Sequence, residues 1–125
     1  MKPRLLRVLP LLLASVAALT AGCVAQDRPE CTAPAVELDL AISDRTLDPS
    51  DPAACRGQQV TLHVTTDEAV VLHIHGYDAQ ATELAVGESA EVAFLAERSG
   101  QFTIEIHPME DPAGIEVGVL TVHEP

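Results

Sequence analysis

Hydrophobic and polar residues alternate along most of the chain after residue 35. In VELDLAI every second residue is aliphatic, and the same period of two returns in VTLHV, VVLHI and QFTIEI. This spacing places the aliphatic side chains of a strand on one face and the polar ones on the other. Turn signals, among them TDEA, HGYD, VGES, ERSG and DPAG, separate the runs. The pattern predicts an all-β domain of about seven strands, packed as a two-sheet antiparallel β-sandwich.

Two stretches depart from the alternation. The final run, IEVGVLTV, changes parity near Gly118, which indicates a β-bulge in the last strand. The segment SDRTLDPSDPAACRG is rich in Asp and Pro, and it predicts a long irregular connection.

The N-terminus has the pattern of an export signal. Three basic residues precede an apolar run, Leu9–Leu19, that is short for a membrane-spanning helix, and small residues follow it. The stretch ends in LTAGC, which resembles a bacterial lipobox and implies cleavage before Cys23 and lipidation of that residue. The alternative is an ordinary signal peptide that has a cysteine near its end. We therefore expect a signal peptide over residues 1–22, a tether over 23–34 and a folded domain over 35–125.

The charge of the processed chain is strongly negative. From Cys23 onward, four arginines stand against all 19 acidic residues, so the formal charge is −15. Such a surface repels nucleic acid and anionic lipid head groups, so we expect no nucleic-acid partner. Attachment to the extracytoplasmic face of the cell membrane is then expected through the lipid on Cys23. The negative field also attracts cations, although solubility alone accounts for the bulk charge.

Cys31 and Cys55 remain if Cys23 carries lipid. Exported proteins fold in an oxidising compartment, so the two thiols predict a disulfide that closes a loop of about 25 residues. The alternative is a pair of metal-binding thiolates, but no CxxC spacing is present and neither cysteine has a histidine near it in sequence.

Three histidines form a candidate metal site. His73 and His75 are two residues apart, so they project from the same face of one strand, and Glu105 and His107 share the polar face of another. If the two strands are neighbours, three imidazoles and a carboxylate converge, and three neutral histidines suit Cu(II) or Zn(II). Met109 would add a thioether that favours Cu(I). The alternative is that these are polar strand residues that bind no metal, as we expect for His63 and His123 at the surface.

The stretch from Val60 to Pro125 resembles a cupredoxin. The resemblance rests on VTTDEAVVLHIHG, VGESAEVAFLAERSGQFTIEIH and VGVLTVHEP. It is greatest with exported cupredoxin-like domains that are grouped with iron-uptake-associated periplasmic proteins, and with small actinobacterial lipoproteins. The resemblance implies a Greek-key β-sandwich and copper as the favoured ion.

Of the four copper-ligand positions of the family, this sequence keeps the ligand at one. His75 matches the first histidine ligand, whereas Ile106 stands where the resemblance puts the copper-binding cysteine. The segment PMED has no second histidine, and Ile115 or Glu116 stands at the axial methionine position. Without the thiolate the resemblance does not extend to blue-copper electron transfer.

The sequence therefore predicts an exported, lipid-anchored domain that is not an enzyme. In the first hypothesis it captures or buffers a metal ion, copper or alternatively zinc, through its histidines. In the second it is a metal-free β-sandwich that presents a surface to another exported protein. An enzyme is the weakest of the three classes, because a domain of this size leaves little room for a substrate pocket.

Overall fold

We describe the fold from a computed structural model in which residues 29–77, 81–111 and 113–125 are placed. The predicted signal peptide, Cys23 and the first part of the predicted tether lie outside these residues. Nine strands and no helix are present in the described ranges, so no helix there is long and apolar enough to cross a membrane. The strands are β1 (Ala35–Ser43), β2 (Thr46–Asp48), β3 (Ala53–Cys55), β4 (Gln59–Thr66), β5 (Val70–Ile74), β6 (Thr82–Leu84), β7 (Ala90–Leu95), β8 (Gly100–Pro108) and β9 (Ile115–His123).

The strands form two sheets, which confirms the predicted all-β sandwich. One sheet has the order β2-β1-β4-β7 and the other the order β3-β9-β8-β5-β6. Five of the eight connections pass from one sheet to the other, the kind of crossing that defines Greek-key sandwiches. The core lies between the sheets and consists of the aliphatic residues of each alternating run, of which Leu62, Ile104 and Leu120 are fully buried.

Two details of the prediction are wrong. The sheets are mixed, since β1 runs parallel to β4 and β3 runs parallel to β9. The strand count is nine because the segment predicted to be irregular contains β2 and β3. Each has three residues, too few to show alternation, yet Leu47 of β2 and Ala54 of β3 are buried. Burial against the rest of the fold, not a local pattern, makes these segments strands.

The predicted bulge near Gly118 is confirmed. In the pairing of β8 with β9, Ile104 lies opposite Gly118 while Glu105 lies opposite Glu116, so Val117 is the extra residue. Two consecutive residues of β9 then face the core, which accounts for the change in parity.

The predicted disulfide is present and fixes the start of the domain. Cys31 and Cys55 are joined, with their Cα atoms 5.3 Å apart. The buried side chain of Gln58 donates hydrogen bonds to the carbonyl oxygens of Glu30 (3.1 Å) and Ala33 (3.0 Å), and accepts one from the Cys55 amide (2.8 Å). Residues 29–34 are thereby held against the body of the sandwich.

Different segments of the chain form the two ends of the sandwich. The tether end consists of residues 29–34, 56–58, 96–99 and 123–124, which backbone hydrogen bonds such as Arg56 N to His123 O join together. The loop end, at the other end of the strands, consists of residues 44–45, 67–69, 86–89 and 109–111.

Candidate functional site

Strands β5 and β8 are antiparallel neighbours, as the site prediction required. His73 lies directly opposite Glu105, and Val71 lies opposite His107. The His75 amide, one residue past β5, donates a hydrogen bond to the Thr103 carbonyl at 2.9 Å. His73, His75, Glu105 and His107 therefore lie on the outer surface of the five-stranded sheet, and we call these four residues the histidine face.

The Glu105 carboxylate lies between two imidazole rings. Its Oε2 is 2.6 Å from Nε2 of His75, and its Oε1 is 3.0 Å from Nε2 of His107. An ionised carboxylate only accepts hydrogen bonds, so Nε2 of His75 carries the hydrogen of the 2.6 Å bond, and the lone pair of its neutral ring is on Nδ1. Glu105, whose side chain is 20% exposed, thus sets the tautomer and the orientation of the His75 ring, and it lies within ion-pair distance of the His107 ring.

His73 stands beside this bridged pair. Its ring centroid is 5.0 Å from that of His75, with 46° between the ring planes. The period of two along β5 brings the two rings together, and the position of Glu105 opposite His73 adds the carboxylate. The sequence predicted that the three imidazoles and the Glu105 carboxylate would converge if the two strands were neighbours, and it named the imidazoles and Met109, not Glu105, as metal ligands. In the structure Glu105 holds the ring of His75.

The turn after β5 fixes His75. Gly76 has a φ of +80°, and a Cβ on it would lie 2.9 Å from Cδ1 of Phe102. Tyr77 packs its ring against Phe94 and Phe102, and its hydroxyl donates a hydrogen bond to the Arg98 carbonyl. Burial raises the pKa of the Tyr77 phenol, while the hydrogen bond and the charge of Arg98 act in the opposite direction. This aromatic packing gives His75 a rigid support on its C-terminal side.

Gly114 makes room for the Glu105 carboxylate. A Cβ on Gly114 would lie 1.4 Å from Oε1 of Glu105 and 3.1 Å from its Cγ, so no larger residue fits while the carboxylate keeps its place. The connection between β8 and β9 thus packs against the group that orients the His75 ring. Nothing in the sequence pattern marks Gly114 as part of a site.

We expect Gly114→Ala to displace Glu105 and release the His75 ring while the fold persists. The clash is with the far end of a flexible side chain, so the free energy of unfolding should change by less than about 1 kcal/mol. The imidazole ¹⁵N chemical shifts of His75 should lose their preference for the Nε2–H tautomer, as they should in Glu105→Ala, and the shifts of His107 should change because its ring loses the neighbouring carboxylate. Gly87→Ala is the control for the chemical shifts, since its Cβ would meet nothing within 4 Å. Its φ of +74° strains an alanine, so this variant should lose stability without any change at the histidine face. Unchanged shifts in Gly114→Ala would contradict the assigned role of Glu105.

Met109 does not join the three imidazoles. It lies past the end of β8 at the loop end, is 65% exposed, and its amide donates to the Ala69 carbonyl at 3.3 Å. His75 lies beside Thr103 of β8. Thr103 is six residues before Met109, so about 20 Å along the chain separates the level of His75 from Met109. Only His107 is near it in sequence.

The side chains of the histidine face share a surface but do not surround a point. Within residues 29–77, 81–111 and 113–125, no group of three or more His, Cys, Asp or Glu side chains is arranged to hold a metal ion. Cys31 and Cys55 form the disulfide, so neither is a thiolate ligand. Ile106 and Ile115 lie opposite each other in β8 and β9, and Ile106 is fully buried in the core.

The other two histidines lie elsewhere. His63 is on the outer surface of the four-stranded sheet, with Nε2 3.8 Å from Oε2 of Glu37. His123 ends β9 at the tether end. Both are partly exposed and outside the histidine face, so they serve as matched controls for it.

No protein-family model matches the sequence, and no curated protein matches it either. Solved structures match its fold. They include a copper nitrite reductase from Nitrosomonas europaea (TM-score 0.55, 14% identity, 72% of this chain and 42% of that one). A multicopper oxidase from Pseudomonas thermotolerans (0.54, 16%, 72% and 30%) and a laccase from Botrytis aclada (0.53, 18%, 73% and 23%) also match.

These identities show the fold alone, and the chain spans less than half of the length of each of these three proteins. All three are cupredoxin-fold copper proteins. The likeness therefore confirms a cupredoxin-like β-sandwich, the fold that the resemblance in sequence implied.

Proposed function

We propose that this chain is an exported, lipid-anchored cupredoxin-like domain that binds one metal ion, preferably copper, through His73, His75 and His107. It captures or passes on the ion and catalyses no reaction of its own. The observation that carries the proposal is the Glu105 carboxylate, which bridges Nε2 of His75 and Nε2 of His107 beside His73.

A carboxylate that holds imidazoles in this way is typical of metal sites. Metal-binding histidines usually donate their second ring N–H to a carboxylate or a carbonyl, which fixes the tautomer and raises the basicity of the ligand nitrogen. Imidazole nitrogens bind Cu(II) and Zn(II) at about 2.0–2.1 Å, so two rings on one ion have centroids roughly 4–6 Å apart. The 5.0 Å between His73 and His75 falls in this range.

The rings of His73 and His75 already lie side by side, and a His107 ring turned toward them would complete the site. The His75 side chain is 51% exposed and that of His107 is 35% exposed, so both rings have space above the sheet. The backbone positions are fixed by the pairing of β5 with β8. This arrangement favours an ion that is taken up and given away over one that is permanently enclosed.

Two further features favour copper and an extracytoplasmic location. The structures that share the fold are copper proteins, and the negative charge of the processed chain raises the local concentration of cations. The lipobox-like LTAGC would place the domain at the outer surface of the membrane, where a disulfide is stable.

Titration of the full chain with Cu²⁺ and with Zn²⁺, followed by calorimetry and by EPR, tests this function. We expect one ion per chain, a dissociation constant of about 1 µM or lower for Cu²⁺, and hyperfine lines from imidazole nitrogen. His63→Ala/His123→Ala should bind as the unsubstituted chain does. Weak uptake of several ions, without nitrogen hyperfine lines, would mean that the acidic surface collects cations and that no site exists.

A second function is favoured by a separate observation. The domain has an open strand edge and an apolar groove away from the histidine face, which suits an interaction module at the cell envelope. This function does not require a metal, and the titration above does not bear on it.

A further inference from the structure

Strand β7 has an open edge. Four strands lie at the edges of the two sheets in the described part of the chain. Three of them, β2, β3 and β6, have three residues each, whereas β7 has six. It pairs only with β4, contains no proline and carries one charged residue, Glu91. An edge of this length presents unpaired backbone N–H and C=O groups that another strand can use.

An apolar groove lies beside this edge. It has a volume of about 320 Å³ and runs between the start of β7 and strands β5 and β6 of the other sheet. Its apolar lining residues are Ala69, Val70, Leu84, Ala85, Ala90 and Met109. Val70 and Leu84 are almost fully buried, so the exposed side chain of Met109 supplies much of the apolar surface. Met109, which the candidate metal site leaves unused, is one of only three exposed large hydrophobic side chains among the described residues. A strand added to β7 would place every second side chain on the side of the sheet that faces this groove, which adjoins β7 at Ala90.

The charges around the groove define what can enter it. Glu83 and Glu88 lie at its rim, and Glu91 projects from the outer face of β7. Among the residues that the structure describes, no Lys or Arg lines the groove. A second copy of this chain would bring its own carboxylates and its formal charge of −12 to this edge, which opposes self-association. A basic segment is attracted instead.

We propose that β7 and the adjoining groove bind an extended peptide segment of a partner protein in which aliphatic and basic residues alternate. The segment adds to β7 as a further strand of the four-stranded sheet. Its backbone pairs with the open edge, and its aliphatic side chains point toward the groove. Its Lys or Arg side chains lie on the outer face of the sheet with Glu91, near Glu88 at the start of β7. The proposal is independent of metal binding at the histidine face.

The probe is a capped peptide of about seven residues in which lysine and valine alternate, added to the ¹⁵N-labelled full chain. We expect a dissociation constant below about 1 mM at low ionic strength, with amide shifts and added exchange protection confined to residues 90–95 and the groove. Glu88→Lys/Glu91→Lys should weaken binding by at least about tenfold. Both residues are exposed, so the fold should be unaffected. Glu37→Lys/Asp39→Lys, on the outer face of β1, makes the same charge change away from β7 and should bind more tightly than Glu88→Lys/Glu91→Lys.

Two further peptides separate strand pairing from simple attraction of charge. Glutamate in place of lysine should abolish binding. N-methylation of alternate residues keeps the charge and the side chains but removes the N–H groups of one edge, so this peptide should bind at least about tenfold more weakly. Equal binding of the methylated peptide, or shifts spread over the acidic surface, would overturn the proposal. So would a dimer, seen by sedimentation, in which β7 amides are already protected without peptide.

Discussion

His73→Ala/His75→Ala is expected to lower the affinity of the full chain for Cu²⁺ by at least about 100-fold. The two imidazoles lie on one strand with their rings in contact, so binding of the first holds the second at a high effective concentration near the same ion. Their removal leaves His107 as the one imidazole of the histidine face. The imidazole hyperfine lines of bound Cu(II) should weaken or disappear together with the affinity.

The comparison needs variants that separate ligands from their support. Glu105→Gln keeps all three imidazoles and removes the charge that orients the His75 ring, so we expect a smaller loss, about tenfold. His63→Ala/His123→Ala removes the same number of imidazoles elsewhere and should change nothing. If His73→Ala/His75→Ala bound Cu²⁺ as well as this control does, the histidine face would not be the site. The interaction function would then be the better account of the domain.

Cys31→Ala/Cys55→Ala is expected to lower the free energy of unfolding by about 3 kcal/mol. The disulfide closes a loop with a sequence separation of 24 residues. Its loss increases the conformational entropy of the unfolded chain, because that loop is no longer closed. The contacts of Gln58 with Glu30 and Ala33 remain in the variant, so residues 29–34 should loosen without detaching completely. Urea unfolding followed by circular dichroism gives the difference.

Two control measurements test whether the loss of stability comes from the disulfide. Cys23→Ala removes the remaining cysteine and should leave the stability unchanged, which controls for effects of a free thiol. Unfolding of the unsubstituted chain under reducing conditions should reproduce the loss seen in Cys31→Ala/Cys55→Ala, since Cys55 is fully buried and alanine there also removes packing. A loss below about 1 kcal/mol in both experiments would show that Gln58 alone is enough to hold the tether.

Alternation in the sequence predicted the strands with five or more residues because each has one face in the core. The parity change at Gly118 predicted the bulge for the same reason. The three-residue β2 and β3 were missed because the burial of Leu47 and Ala54 depends on distant parts of the chain. The parallel pairing of β1 with β4 was missed because a strand pattern does not say which strand lies beside it, or in which direction.

The same distinction applies to the candidate site. The period of two placed His73 and His75 on one face without any knowledge of the fold. The bridge through Glu105 depends on the register between β5 and β8 and on the space at Gly114, and neither can be read from local sequence. Met109 lies two residues past His107, yet the end of β8 puts it at the loop end, beside the groove.

The tether end brings two distant parts of the sequence side by side. The Cys31 Sγ is 3.9 Å from the Glu124 carbonyl oxygen. A short linker could join these parts, and new chain ends could be opened at the turn formed by Val86 and Gly87, where side chains are exposed. Circular permutation would then change the order of the strands along the chain and leave every strand with the same neighbours. In such a permutant the histidine face would stay in place while the new chain ends lay at the loop end of the domain.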